Sequence, residues 1–198
     1  RLIVSRAATS DKQRYLMIND VRRAYFYAEA TRDLFIELPE EDDMYGQGDL
    51  VGKLRLCLYG TRDAALNWQQ TLSDHLVENG FIRGVGFPSV FHHPGRDVWT
   101  LVHGDDYCSA GDSEAMEWLE GVLSAKYEIK TQKIGHAPGL ASEGQILNRV
   151  VRATAAGFEL EADLRHAELI VEQLNLGSAK GVTTPGADDQ EEDNEHAN

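Results

Sequence analysis

The feature that most constrains this chain is a pair of adjacent aspartates, Asp105 and Asp106, set between two β-prone segments. Val98–His103 is rich in β-branched and aromatic residues and predicts a strand, and residues 107–110 predict a returning strand. Gly104 and Asp105 suit the positive φ angles that a two-residue hairpin turn favours. The sequence therefore predicts a β-hairpin that carries two carboxylates at its tip.

Neighbouring carboxylates repel, and each disfavours ionisation of the other. A divalent cation removes this repulsion, and Mg²⁺ is commonly held by one or two carboxylates together with substrate phosphates. The alternative is structural, because Gly-Asp-Asp is also ordinary turn sequence in which an aspartate binds its own backbone. A second aspartate, Asp20, ends the strand predicted at residues 15–19 and favours the metal site. The structural alternative for Asp20 is the N-cap of a helix.

Length and composition predict one globular domain, with 198 residues of which 42% are hydrophobic and 26% charged. We expect no membrane helix and no signal peptide, because no sufficiently long apolar run is present. Cys57 and Cys108 are too few for a disulfide framework and predict a reducing, intracellular compartment. Lys and Arg number 19 and Asp and Glu number 33, so the net charge is −14, which disfavours contacts to nucleic-acid phosphates.

Apolar residues recur at helical spacing over residues 63–79, where Trp68, Leu72 and Leu76 are expected to face a sheet. A second helix is predicted from Asp112 or Ser113 to about residue 125. Because helices and strands do not alternate regularly, the fold class is predicted as α+β, an antiparallel sheet with helices packed on one face. The other predicted elements are a weak helix at 1–10, strands at 34–39, 51–58, 90–92 and 127–133, a hairpin of 145–152 with 157–160, and a helix at 162–174.

The order of these motifs resembles the palm of reverse transcriptases, most closely that of copia-type retrotransposons. The sequence Asp-Val-Arg-Arg-Ala-Tyr at 20–25 resembles the first catalytic motif, and residues 34–40 resemble the strand that follows it. Residues 51–60 and Trp68 resemble the nucleotide-side motif, and residues 101–111 resemble the Asp-Asp motif. The resemblance runs from about Leu2 to Pro185. It implies a palm-like domain with a ferredoxin-like core over residues 1–183, without fingers or a full thumb, followed by an acidic tail at 184–198 that we expect to be disordered.

The resemblance implies an RNA-directed DNA polymerase that transfers nucleotides to a primer 3′-hydroxyl with two Mg²⁺ or Mn²⁺ ions. The implied partners are an RNA or DNA template-primer, deoxynucleoside triphosphates and the rest of a retrotransposon polyprotein, with no membrane. Tyr25 would lie under the incoming sugar and exclude a 2′-hydroxyl, although it also suits a core aromatic position. The implied site residues are Asp20, Asp105 and Asp106 as catalytic metal ligands, and Tyr25, Tyr59 and Gly60 at the nucleotide.

Three positions depart from the family pattern. His103 stands where tyrosine is usual, Gly104 replaces an apolar residue, and Asp63 places a negative charge near the expected triphosphate. These departures and the net charge favour a second hypothesis, a catalytically decayed palm that serves only as a folded binding module. We accordingly expect the chain alone to be weak or inactive as a polymerase. A third hypothesis is an unrelated metal-dependent phosphohydrolase that uses the same aspartates.

Overall fold

The computed structural model describes residues 1–9, 13–161 and 164–181. It divides the chain into two compact units, Arg1–Ala162 and Asp163–Asn198. The tail expected at 184–198 lies outside the described residues. In chain order the elements are α1 (Leu2–Ala8), β1 (Tyr15–Val21), a 3-10 helix η1 (Ala24–Tyr27), β2 (Phe35–Glu37), β3 (Val51–Lys53), α2 (Ala64–Glu78), β4 (Ile82–Arg83), β5 (Val90–His93), β6 (Val98–His103), β7 (Asp106–Gly111), α3 (Ser113–Ser124), β8 (Ile129–Ile134), β9 (Glu143–Ile146), β10 (Arg149–Thr154), β11 (Gly157–Leu160) and, in the second unit, α4 (Leu164–Gln173).

The first unit is built on a six-stranded sheet in the order β4-β5-β6-β7-β1-β8. All five neighbouring pairs in this sheet are antiparallel. A three-stranded sheet, β11-β10-β9, and a two-stranded ribbon, β2-β3, complete the unit. The predicted α+β class with antiparallel sheets is confirmed. Among the described residues, no helix has both the length and the apolar character needed to cross a membrane.

Helices α2 and α3 cover one face of the large sheet. The helical phase predicted for α2 is confirmed, because Trp68 and Leu72 are each 1% exposed and Leu76 is fully buried. Asp112 caps α3 by accepting a hydrogen bond from the backbone N–H of Ala115 at 2.9 Å. The sheet side chains packed against these helices are Met17, Val21, Val98, Val102 and Tyr107.

The opposite face of the sheet is covered by different elements. Ile3 and Ala7 of α1 and Val151 of β10 are buried against it. The short N-terminal helix therefore lies on the other face from α2 and α3, where the sequence pattern had placed all helices on one face. The sheet side chains in this second core are Leu16, Cys108, Ala110 and Ile134.

The predicted central hairpin is confirmed and its turn is refined. Strands β6 and β7 pair in the register of His103 with Asp106, which leaves Gly104 and Asp105 as the two turn residues. Gly104 has a φ of +65°, whereas the φ of Asp105 is not positive. A positive φ at the first turn position alone defines a type II′ turn, so the expectation of positive φ at Asp105 was wrong.

Three boundaries differ from the sequence interpretation. Asp20 lies inside β1 and caps no helix, because the strand continues to Val21. The strand expected at 51–58 stops at Lys53, after which single backbone hydrogen bonds tie the segment to residues 28–34. Residues 145–152 form a hairpin by themselves, since Leu147 and Asn148 have φ angles of 47° and 62° and make a two-residue turn between β9 and β10.

The buried stripe of α2 predicts a strong position dependence for one substitution. Leu76→Ala should lower the free energy of unfolding by about 2–5 kcal/mol, because a fully buried leucine leaves a cavity. The matched control is Leu66→Ala in the same helix, where the side chain is 67% exposed. Urea denaturation measures both, and equal losses would contradict the packing of α2.

Candidate active site

Strand pairing brings Asp20 and Asp106 together. The two residues are direct partners across the antiparallel β1–β7 pair, so their side chains leave the same face of the sheet. The row continues on both sides, because His103 lies opposite Asp106 on β6 and Lys130 lies opposite Asp20 on β8. Two carboxylates are therefore flanked in one cross-strand row by a histidine and a lysine.

Asp105 lies at the tip of the hairpin, and its backbone is tied to β1. The backbone N–H of Val21, next to Asp20, donates to the carbonyl of Asp105 at 3.0 Å. On the helix side, the indole N–H of the buried Trp68 donates to the carbonyl of Gly104 at 2.8 Å. The turn is thus held between the strand that carries Asp20 and the helix α2.

The charges of this cluster interact. Partial burial and then the charges of Asp105 and Asp20 raise the pKa of Asp106, and His103 acts in the opposite direction. The carboxylates are therefore close enough to disfavour one another's ionisation, as expected for an acidic cluster. Asp20 itself is exposed, and Asp105 and Asp106 are half-buried.

The donor chemistry of these residues suits a hard divalent cation, since carboxylate oxygens are the ligands that Mg²⁺ prefers. The raised pKa of Asp106 gives an independent reason, because a bound cation offsets the repulsion that raises it. Within the part of the chain that the structure describes, no three His, Cys, Asp or Glu side chains are grouped closely enough to hold a metal ion. The residues fit the cation in kind, but the three aspartate side chains do not form such a group in this arrangement.

Two of the three residues expected at the nucleotide are in contact. The rings of Tyr25 and Tyr59 lie 4.4 Å apart at an interplanar angle of 36°. Partial burial and then the charge of Asp105 raise the pKa of Tyr59, which places this pair beside the hairpin tip. Gly60 has a φ of +87° and a Cβ there would meet no atom within 4 Å. The positive φ therefore accounts for glycine at this position, whereas close packing by a neighbouring atom of the chain does not.

A cavity of about 270 Å³ adjoins the hairpin tip on the side of α2. Tyr25 lines it together with residues of α2, β6 and the turn, whereas Tyr59 and Gly60 lie outside its lining. Its polar lining residues are Tyr25, Gln69, Ser89 and His103.

Asp63, which sequence reasoning placed as a repulsive charge near the triphosphate, is neutralised in the fold. The guanidinium of Arg32 donates to Asp63 at 2.8 Å, and this hydrogen bond lowers the pKa of Asp63 to about 2. The side chain also contacts Thr31 and Asn67. Its negative charge is therefore offset by a cation that lies 31 positions away in sequence.

Sequence reasoning missed Lys130, Arg32 and the hydrogen bond from Trp68 to the turn. Lys130 was included in a predicted strand, yet its place opposite Asp20 depends on a register between strands more than 100 residues apart. No periodic or local signal encodes such a register. Arg32 likewise follows β1 in a loop segment without a motif.

Comparison with known proteins identifies the family. The family model described as reverse transcriptase (RNA-dependent DNA polymerase) matches residues 1–188. The structure is similar to that of apo telomerase from Candida tropicalis, truncated from the C-terminal domain, with a TM-score of 0.47 and 11% identity over 75% of this chain and 35% of that chain.

Two curated relatives are polyproteins of retrotransposons. The retrovirus-related Pol polyprotein from transposon TNT 1-94 of Nicotiana tabacum is 25% identical over 190 residues, which cover 93% of this chain and 14% of that protein. The transposon Ty1-NL2 Gag-Pol polyprotein of Saccharomyces cerevisiae is 26% identical over 137 residues, covering 69% of this chain and 8% of that protein. The chain therefore spans a small part of these relatives, and it belongs to the reverse transcriptase (RNA-dependent DNA polymerase) family, in the copia-type retrotransposon branch.

Proposed function

We propose that this chain is the palm of an RNA-directed DNA polymerase and that Asp20, Asp105 and Asp106 are its catalytic carboxylates. The observation that carries the proposal is the direct cross-strand pairing of Asp20 with Asp106 next to the turn that holds Asp105. Family membership supplies the reaction class, nucleotidyl transfer to a primer 3′-hydroxyl.

The role of the three aspartates is to hold negative charge at a fixed place. Two Mg²⁺ or Mn²⁺ ions, when bound, would lower the pKa of the attacking hydroxyl and offset charge on the leaving pyrophosphate. Asp20 and Asp106 face the same side of the sheet, and Asp105 adds a third carboxylate from the turn. Because phosphoryl transfer depends mainly on positioning and on charge neutralisation, a rigid acidic row on a sheet suits the task.

Tyr25, Tyr59 and Gly60 are proposed to bind the incoming deoxynucleoside triphosphate. The rings of Tyr25 and Tyr59, which contact each other at a tilt, offer an aromatic surface beside Asp105. A ring at this place excludes a 2′-hydroxyl by its bulk, which would favour deoxyribonucleotides. The neutralisation of Asp63 by Arg32 removes one repulsive charge from this region.

The proposed partners are an RNA or DNA template-primer and the remainder of a retrotransposon polyprotein. The chain covers 14% and 8% of two polyprotein relatives, and its own net charge is −14. We infer that basic surfaces of the larger polyprotein supply most phosphate contacts. Two free, buried cysteines, Cys57 and Cys108, fit a reducing intracellular compartment.

A second candidate function is a catalytically decayed palm that remains only as a folded binding module. The observation that favours it is that the three aspartates form no metal-binding group among the described residues. The two candidates differ in whether Asp105 and Asp106 are needed for any nucleotide addition.

Primer extension with Mn²⁺ at low salt tests the proposed function. We expect slow extension of a primed template by the native chain, because the carboxylates supply the metal site while the net charge weakens nucleic-acid binding. The variant Asp105→Asn, Asp106→Asn should lose this activity. Asp74→Asn, an exposed aspartate of α2, is the matched control and should extend like the native chain. Equal background in all three proteins would support the decayed palm and exclude the polymerase.

Asp106→Asn should also change stability in a pH-dependent manner. The pKa of Asp106 is raised in the folded state, so its ionised form destabilises the fold at pH values above the ordinary pKa of 3.8. The variant should therefore have a higher thermal unfolding midpoint than the native chain at about pH 7, and the difference should vanish at about pH 3, where Asp106 is protonated in both states.

Calorimetry at both pH values measures this difference. Adding Mg²⁺ at neutral pH should stabilise the native chain more than the variant, because the cation offsets the repulsion among the carboxylates. A variant that is less stable than the native chain at neutral pH would show that Asp106 is not under repulsion.

A further inference from the structure

Gly104 and Asp105 form a type II′ turn, but the same two residues are also compatible with a type I′ turn. Type I′ and type II′ turns differ in the orientation of the central peptide, here the one between Gly104 and Asp105, and in the sign of φ at the second turn residue. Glycine accepts either form at the first position, and aspartate is among the residues that tolerate positive φ. The turn sequence alone therefore leaves both forms accessible.

Contacts from outside the hairpin decide between the two forms. The carbonyl of Gly104 belongs to the central peptide, and it accepts the indole N–H of Trp68 at 2.8 Å. A flip of this peptide would turn the carbonyl away and leave a buried indole donor without its partner. The next carbonyl, that of Asp105, is bound by the backbone N–H of Val21 at 3.0 Å. Both carbonyls of the turn are thus hydrogen-bonded from outside the hairpin, one by α2 and the other by β1.

The indole is itself fixed by packing. Trp68 is 1% exposed, and its ring lies edge-on to Tyr127 at a centroid distance of 5.2 Å. It also lies 6.4 Å from the ring of Tyr27, which belongs to the same 3-10 helix as Tyr25. The hydroxyl of Tyr27 in turn accepts the backbone N–H of Glu128 at 2.9 Å. Because the indole ring of Trp68 is held on several sides, the Gly104 carbonyl that accepts its N–H is restricted in orientation as well.

We propose that Trp68 is a positioning residue that holds the central peptide of the catalytic turn in the type II′ orientation and thereby sets the direction of the Asp105 carboxylate. The catalytic meaning of this device rests on the proposed function, in which Asp105 acts in nucleotidyl transfer. The effect of Trp68 on the turn conformation can be measured whether or not the chain acts as a polymerase.

Trp68→Phe tests the proposal, because phenylalanine keeps an aromatic ring in the core and removes the N–H donor. Trp99→Phe is the matched control: Trp99 lies on β6 of the same hairpin, and its buried indole nitrogen has no hydrogen-bond partner among the described residues. Both variants lose an indole N–H, and only one loses a hydrogen bond to the turn.

Solution NMR of the metal-free chain gives the first readout. The three-bond coupling between the amide and α protons of Asp105 reports its φ angle. In Trp68→Phe this coupling should move towards an average of two turn forms, and in Trp99→Phe it should stay as in the native chain. An unchanged coupling in Trp68→Phe overturns the proposal, whether or not the native chain extends a primer.

Mn²⁺ affinity, measured by paramagnetic relaxation, gives the second readout. Affinity should fall about threefold to tenfold in Trp68→Phe, the range that corresponds to the net value of one hydrogen bond, and should be unchanged in Trp99→Phe. A shifted Asp105 coupling in Trp68→Phe supports the role of Trp68 in the turn even if the native chain does not extend a primer. The two measurements therefore separate a failure of this proposal from a failure of the proposed function. Equal Mn²⁺ affinity in both variants overturns the positioning role.

A measurement on the native chain tests the proposal even if the Trp68→Phe variant does not fold. A scalar coupling across the hydrogen bond, between the Trp68 indole nitrogen and the Gly104 carbonyl carbon, should be detectable. Its absence overturns the proposal independently of either variant.

Discussion

The structure depends on the antiparallel pairing of β1 with β7, which sets two acidic residues directly opposite each other. Asp20 and Asp106 meet in this register, and the charges of Asp20 and Asp105 contribute to the raised pKa of Asp106. Like charges at a cross-strand position destabilise a sheet, so the rest of the fold has to hold the strands together against this repulsion. Repulsion within such a cluster destabilises the fold, and its carboxylates are suitable ligands for divalent cations.

Two cores on opposite faces of the sheet provide the compensation. On one face, α2 and α3 bury Trp68 and the leucines beside it, and on the other face α1 and β10 bury Leu16 and Cys108. The strands β1 and β7, which carry Asp20 and Asp106, are therefore covered on both sides over most of their length, and Asp20 is the one residue of these two strands that is exposed. Burial of this kind removes apolar area from water and makes the positions of the strand ends rigid.

The surroundings of the carboxylates show how a strongly acidic chain places cationic side chains around the proposed site. Lys130 and His103 occupy the two ends of the cross-strand row, and Arg32 neutralises Asp63 at the start of α2. The cationic side chains of Lys130 and Arg32 thus offset part of the local negative charge, although the net charge is −14. Net charge bears on association with nucleic acid, whereas the site itself is governed by the few groups within a Debye length.

The sequence by itself determined the hairpin, the buried phase of α2 and the order of the family motifs, because these depend on local turn chemistry and on periodicities of two and 3.6 residues. It identified Asp20 as a candidate partner of the hairpin without fixing the contact. Only the tertiary structure decided that Asp20 lies within a strand opposite Asp106, that α1 covers the other face, and that the Trp68 indole binds the turn. These features depend on registers and contacts between distant segments, which no local pattern encodes. Backbone hydrogen bonds form equally well in several registers, and the packing of both faces selects one of them.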